Sequence, residues 1–568
     1  MFIDPGIRAR SISFDRGSKP VVVDDETGYR IYALERALEP GDSLRLEFDV
    51  SFRPRGFPNS DIQTHVVSNG TTFDRSWLPA IGYQAINELS DEDARRRFGL
   101  APRPPAPGPE DAEARQYRWE LRNEDLVHLD AVVGTSVDQT AIMPGMLRRS
   151  WLEKGRRYFH YETRPTLLGA NVVSGKYEVL EDRWIPEGGA AQAARGTGDG
   201  NTHQHRDSTV ESRSQGVALR IFHDPARNSN LDRTVRSMKA SLDYYTEQFG
   251  PYPYRELSIV EIPRYGGFGR ALAHTITFTE DYFLSRVGEG ELDQPFYGTA
   301  HEVAHQWWGG QARGATVRGH GFLSESLANY SAMMVVEKTY GLEAARRVYV
   351  FQMDRYFRGR ADLSREVPLL DVEDQPYIAY RKGAIAMYAL RAHIGEKRVN
   401  TALRRYLEKY RDAGPPYPTS RDLYAELRAV TPDSLQYLLK DLFETVTLWD
   451  VRTERAAVQP TGSGEFVVTL DVVAKKARAD SVGHLTEVPM NDLVEVGVFA
   501  PGEGDTPGAP LYLKHQRIHS GKQTIRITVP SRPARAGVDP RHELIDRDTH
   551  DNVVTVIDAV QEAKHEHR

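Results

Sequence analysis

The chain contains no cysteine. Disulfides, thiolate metal ligands and a cysteine nucleophile are therefore excluded, which leaves histidine and carboxylate side chains as the strong metal ligands available. Basic charge is not in excess either. The 73 lysines and arginines stand against 80 aspartates and glutamates, a formal net charge of −7, and the pI is near 6.3. That balance gives no electrostatic footprint for nucleic acid. No apolar run approaches the ~18 residues that span a bilayer. The opening MFIDPGIRARSISF also lacks the apolar core of a secretory signal. As written, the sequence predicts a cytoplasmic chain. The alternative is the soluble extracytoplasmic part of a membrane protein whose spanning segment precedes Met1. The missing cysteine does not choose between these compartments.

What is present is the composition of an ordinary globular protein, with 40% hydrophobic and 27% charged residues. At 568 residues the chain is too long for one hydrophobic core. The patterning divides it into a multidomain α+β protein. Residues 1–212 are β-rich, with alternating or β-branched segments such as PVVVDDETGYRIYAL, SLRLEFDVSF, YRWELR and RYFHYE. Two stretches interrupt them, a proline-rich one at 99–114 and a small, polar one at 187–212. Residues 213–450 turn helical, and DRTVRSMKASLDYYTEQFG and SESLANYSAMMVVEKTYG both end in glycine, a helix stop. One strand is expected inside this region at 273–278, as an edge strand. Residues 451–568 return to strands and suit a small β-sandwich.

HEVAHQWWGG occupies 301–310. On a helix His301 and His305 project from one face, as two ligands of one metal must. Glu302 lies beside them and suits a general base toward the activated water. A catalytic zinc takes a third protein ligand and keeps one position open. FLSESLANYSAMM supplies Glu325, 20 positions after His305, and a helix–loop–helix hairpin of that length can return its carboxylate to the histidines. A bare H-E-x-x-H match can arise by chance. Here Ala300, Val303, Ala304, Trp307 and Trp308 make the helix apolar, and ionisable groups on a buried helix are costly unless paired or metal-bound. His203, His205 and His320 stand in loop-like sequence and are read as ordinary histidines.

At these residues the chain resembles the aminopeptidase N family of gluzincin metallopeptidases, with HEVAHQWWGG, LSESLANY and YRKGAIAMY as markers over roughly 213–450. That family carries its third ligand in a Leu-Asn-Glu-Gly segment, replaced here by Leu323-Ser324-Glu325-Ser326. Residues 306–324, 19 in all, separate His305 from Glu325, one more than is usual there. Nearly the whole chain is also similar to the peptidase-like regions fused to certain bacterial ABC-transporter permeases, through SNGTTF, GTSVDQTA and AGVDPRHELIDRDTHDN. The resemblance implies a β-saddle N-terminal domain, a thermolysin-like, mainly helical catalytic domain at 213–450 and an Ig-like C-terminal β-sandwich. It also implies one zinc ion per chain, a peptide substrate and a membrane-transporter partner.

Tyr380, in Tyr380-Arg381-Lys382-Gly383, matches the family tyrosine that donates to the oxyanion of the tetrahedral intermediate. One departure concerns the substrate's amino terminus. The family's Gly-Ala-Met-Glu-Asn segment, whose Glu binds the free amine, is replaced at 265–271 by YGGFGRA. No acidic residue occurs between Glu261 and Glu280, whereas Arg264 and Arg270 do. Gly267, Phe268 and Arg270 are the expected substrate-binding residues, and a cation cannot anchor an ammonium group. The leading reading is a zinc metallopeptidase whose substrate lies along an edge strand. The alternatives are a non-enzymatic soluble module of a membrane transport system and a zinc hydrolase of a non-peptide substrate. The sequence leaves exo- versus endo-cleavage and the oligomeric state open.

Overall fold

A computed structural model describes residues 1–53, 65–67, 70–82, 84, 87–89, 92–118, 128–163, 172–186, 216–263, 267–362, 366–373, 375–502 and 508–558. The polar stretch 187–212 with His203 and His205, most of YRWELR, and Arg264 lie outside the described residues. The chain forms two compact units. One comprises Met1–Ala106, Tyr117–Glu247 and Pro251–Gly310, and the other comprises Pro107–Gln116, Gln248–Gly250 and Gln311–Arg568. Gly310 falls inside 213–450, so the units cut across the three-part division of the sequence.

In the first unit, short antiparallel ladders pair Arg8–Phe14 with Leu46–Ser51 and Ser18–Val23 with Arg30–Leu34. Arg156–Glu162 lies between Asp130–Ser136 and Met146–Glu153. A five-stranded mixed sheet follows, built from β1 (Glu178–Trp184), β2 (Val217–His223), β3 (Glu256–Ile262), β4 (Gly269–Leu272) and β5 (Thr275–Thr279). Its order is β1-β2-β3-β5-β4. β2, β3 and β5 run parallel, and the two outer strands are antiparallel to their neighbours. Leu257, Ile259, Val260, Ile262 and Ile276 are fully buried. Such unbroken apolar runs mark strands covered on both faces. Helix α1 (Leu231–Phe249) crosses from β2 to β3 and buries Met238, Leu242, Tyr245 and Phe249, a stripe at helical spacing.

The expected strand at 273–278 exists as β5, but it is not an edge. It lies between β3 and β4, and the edge is β4. The chain reverses at His274, whose φ is +50°, and pairs 269–272, which follow the GGFG run, along β5. Alternation in AHTITF marks a strand without showing that its neighbour pairs with it.

In the second unit, α3 (Leu327–Tyr340) is buried on every side from Leu327 to Val336. Leu342–Asp362, α4 (Gly383–Ile394), Glu396–Tyr410 and Ser420–Val430 are the other long helices. Gly341 and Gly395, with φ of +86° and +88°, close α3 and α4 in a conformation that favours glycine. Thr419 and Asp422 form a capping box at Ser420–Val430. The C-terminal strands make two sheets. One is centred on the long pair Val446–Pro460 and Phe466–Ala479. The other contains β6 (Asn491–Phe499), flanked by β7 (Pro510–His519) and β8 (Arg535–Val538). Among the described residues no helix is long and apolar enough to cross a membrane.

Candidate active site

Helix α2 (Gln294–Ala304) carries the H-E-x-x-H sequence to its C-terminal end. The Asp293 side chain caps its start by accepting from the Phe296 N–H at 3.0 Å. Phe296, Ala300, Val303 and Ala304 are fully buried. Two hydrogen bonds from α1 fix its axis, Ser237 Oγ to the Phe296 carbonyl at 2.7 Å and Tyr245 Oη to the Ala300 carbonyl at 2.9 Å. Trp307 and Trp308 are also fully buried and anchor the turn that follows.

The Nε2 atoms of His301 and His305 stand 3.2 Å apart. His305 Nδ1 lies 3.1 Å from the Trp308 carbonyl. A hydrogen there is donated to that carbonyl, which leaves Nε2 as the lone-pair nitrogen and orients the ring as a metal ligand requires. Two nitrogens each about 2.0–2.1 Å from one tetrahedral ion stand roughly 3.3 Å apart, so the pair fits a zinc ion. Glu325 occupies a π-helical turn, Phe322–Ser326, just ahead of α3. Such turns recur at functional sites. His301 and His305 belong to the first unit and Glu325 to the second.

Glu302 is only 8% exposed. Strand β4 packs directly on it: a Cβ added at Gly269 would sit 2.7 Å from Glu302 Oε1 and 2.6 Å from the Phe278 ring. Gln306 then ties the β4–β5 turn to the end of α2. Its Nε2 donates to the Leu272 carbonyl at 2.9 Å, and its Oε1 accepts from the His274 N–H at 3.0 Å. Gly269 and Gln306 were missed in the sequence reading. The only signals were the glycine-rich GGFG run and a glutamine buried among tryptophans.

Gly267, Phe268 and Arg270 lie on the exposed side of this hairpin. Asp281 comes near them, since a Cβ at Gly267 would stand 3.1 Å from its Oδ2. The buried Glu261 and Glu280, which bracket the segment without acidic residues, both face Arg227, at 2.5 and 3.2 Å. Glu261 also accepts from the Asp224 N–H at 2.7 Å.

Tyr380 is half-buried on a second π-helical turn, Tyr377–Lys382. Ser326 Oγ donates to the Ala379 carbonyl at 2.6 Å, which locks this turn to the one bearing Glu325. Gly383 leaves room for that hydroxyl, because a Cβ there would fall 1.8 Å from Ser326 Oγ. Lys382 is fully buried and binds Glu366 at 2.9 Å; it is a support for the turn. His320, read as a loop histidine, is buried, and burial pushes its pKa down to about 4.

Residues 230–441 match the Peptidase family M1 domain. The matched residues contain the H-E-x-x-H and LSESLANY markers. Among curated proteins the chain is similar to human endoplasmic reticulum aminopeptidase 2, with 25% identity over 35% of this chain and 22% of that protein. Rice aminopeptidase M1-B is 26% identical over 41% of this chain and 27% of that protein. The chain thus spans about a quarter of the length of these relatives. Among solved structures, Legionella pneumophila aminopeptidase A in complex with aspartic acid aligns at a TM-score of 0.47 and 13% identity, covering 75% of this chain and 45% of that one.

Proposed function

We propose that this chain is a zinc metallopeptidase of the aminopeptidase type, holding one zinc ion through His301, His305 and Glu325. The observation that carries the reading is the pair of Nε2 atoms 3.2 Å apart on a helix that also bears Glu302. When bound, zinc supplies Lewis-acid polarisation of the scissile carbonyl and of the attacking water. Glu302 takes a proton from that water and passes it to the leaving amine. Tyr380 donates a hydrogen bond to the developing oxyanion. β4, the outer strand of the sheet among the described residues, offers backbone groups to an extended peptide, with Gly267, Phe268 and Arg270 at its exposed end. The same reading assigns 1–212 to a β-saddle domain, 213–450 to a thermolysin-like domain and 451–568 to an Ig-like domain.

A free substrate amine is not required under this proposal. Support comes from the segment 262–279, which has no carboxylate, and from Arg227, which already neutralises Glu261 and Glu280. The test digests a peptide library and reads product ends by mass spectrometry, alongside matched free and N-acetylated peptides. Metal analysis should find one zinc equivalent that depends on this site, lost in His301→Ala and in Glu325→Ala. Full metal occupancy in either variant overturns the ligand set. A preference for the free amine of ~30-fold, about 2 kcal/mol, overturns the amine-independent reading, and its loss in Asp281→Asn would identify the anchor.

A further inference from the structure

We propose that His393, His515 and Glu543 form a second divalent-cation site, with the Leu493 carbonyl as its fourth donor. Each of the three side chains offers a ligand atom, and these atoms lie within 4.8 Å of one another. The residues come from the end of α4, from β7 and from the loop after β8 that belongs to AGVDPRHELIDRDTHDN, a motif the peptidase chemistry leaves unused. Glu543 is 4% exposed and the His515 side chain 26%.

The decisive detail is at His393. Its Nδ1 lies 2.9 Å from the Ala389 carbonyl and its Nε2 lies 3.1 Å from the Leu493 carbonyl. A neutral imidazole carries one hydrogen. With Nδ1–H given to Ala389, the bare Nε2 faces a carbonyl oxygen, which is repulsive unless a cation or a second proton stands between them. Two donors on one ion with bonds of about 2.0–2.1 Å stand roughly 3.3 Å apart, close to the spacing observed. Leu493 is placed for this role. Its N–H donates to Tyr437 Oη at 2.9 Å, and β8 pairs with β6 only from Val496 onward, so its carbonyl lies on an open stretch of strand.

His515 Nε2 and Glu543 Oε2 are 2.6 Å apart, a hydrogen bond whose proton the cation displaces on entry. Arg541 is the nearby positive charge. Its Nε binds Glu495 Oε2 at 2.7 Å, and it reaches only the other oxygen of Glu543, Oε1, at 3.2 Å. Glu495 thus carries the guanidinium and leaves Glu543 Oε2 to the site. Two imidazoles, a carboxylate and a carbonyl suit Zn²⁺, and with all four positions filled by protein the site is structural. It pins the end of α4 to β6 and β7.

The test uses the full chain, stripped of metal and titrated with Zn²⁺ alone, with bound metal and thermal unfolding read together. Two equivalents are expected, the second raising the Tm. His515→Ala and Glu543→Gln should each bind one equivalent and lose the second Tm increment. His301→Ala should also bind one yet keep the increment assigned to this site, so failure of the peptidase reading is told apart from failure here. Glu543→Gln preserves side-chain shape and serves if His515→Ala does not fold. A Glu543→Gln variant that binds as many equivalents as the wild-type chain and keeps its full Tm rise overturns the proposal. His393 would then be an imidazolium held between two carbonyls.

Discussion

A methyl group on Gly269 would stand 2.7 Å from Glu302 Oε1 and 2.6 Å from the Phe278 ring, so Glu302 and the strand beside it can shift only together. Gly269→Ala is expected to displace Glu302 and lower kcat by up to ~100-fold, the usual cost of misplacing a catalytic group by about 1 Å. Zinc content should stay unchanged; an unaltered kcat and pH profile would show that the carboxylate has room to move. Glu302→Gln should also retain metal, with turnover falling ~10²–10⁴-fold because the water loses its base. Near-normal kcat in that variant would remove Glu302 from the mechanism. Tyr380→Phe should cost roughly 2.7–4 kcal/mol of transition-state stabilisation, seen mainly in kcat. A change confined to KM would make Tyr380 a substrate-positioning residue.

At the scale of elements, Gln306 joins the end of α2 to the β4–β5 hairpin through one donor and one acceptor. Gln306→Leu leaves the His274 N–H and the Leu272 carbonyl without those partners, at about 1–3 kcal/mol for each buried group. We expect a lower midpoint in denaturant and a raised KM for extended peptides, since β4 would no longer be held against α2. If both stay at wild-type values, the clamp has no role. The helices themselves were legible in the sequence. α1 and α3 have the stripe or run of apolar residues and the terminal glycine that a reader uses. The hairpin was only half legible, because the alternation that marks β5 does not say which neighbour closes its edge.

Across the second unit, stability depends on buried charge that composition alone could not reveal. Lys382 is fully buried and Glu366 nearly so. Glu366 also receives Tyr356 Oη at 2.7 Å and Arg360 Nε at 2.6 Å. Burial raises the Glu366 pKa, but Lys382, Tyr356 and Arg360 outweigh it and hold the carboxyl below its ordinary value. A depressed carboxyl binds fewer protons in the folded state. Its stabilisation is therefore complete above the unfolded pKa of about 4.3 and fades as pH falls through the folded value. Lys382→Met should cost ~3–5 kcal/mol near neutrality, because it strands a buried carboxylate. The loss should shrink toward pH 3, where Glu366 protonates. A Tm deficit that is the same at pH 3 and pH 7 would rule out the charge as its cause.

The sequence by itself determined the chemistry offered to a metal. With no cysteine, His301, His305 and Glu325 were the donors at hand, and a four-residue step on a helix puts two of them on one face through backbone geometry alone. It also determined where helices stop, because a glycine with positive φ is a local property. Tertiary structure decided what local rules cannot reach. It made β4 the edge strand, brought Gly269 against Glu302, engaged Glu261 and Glu280 with Arg227, and turned Asp281 toward Gly267. It also gathered His393, His515 and Glu543 from elements far apart in the chain. Such contacts depend on which surfaces pack, and packing is set by shape and burial summed over many residues rather than by the spacing of any few.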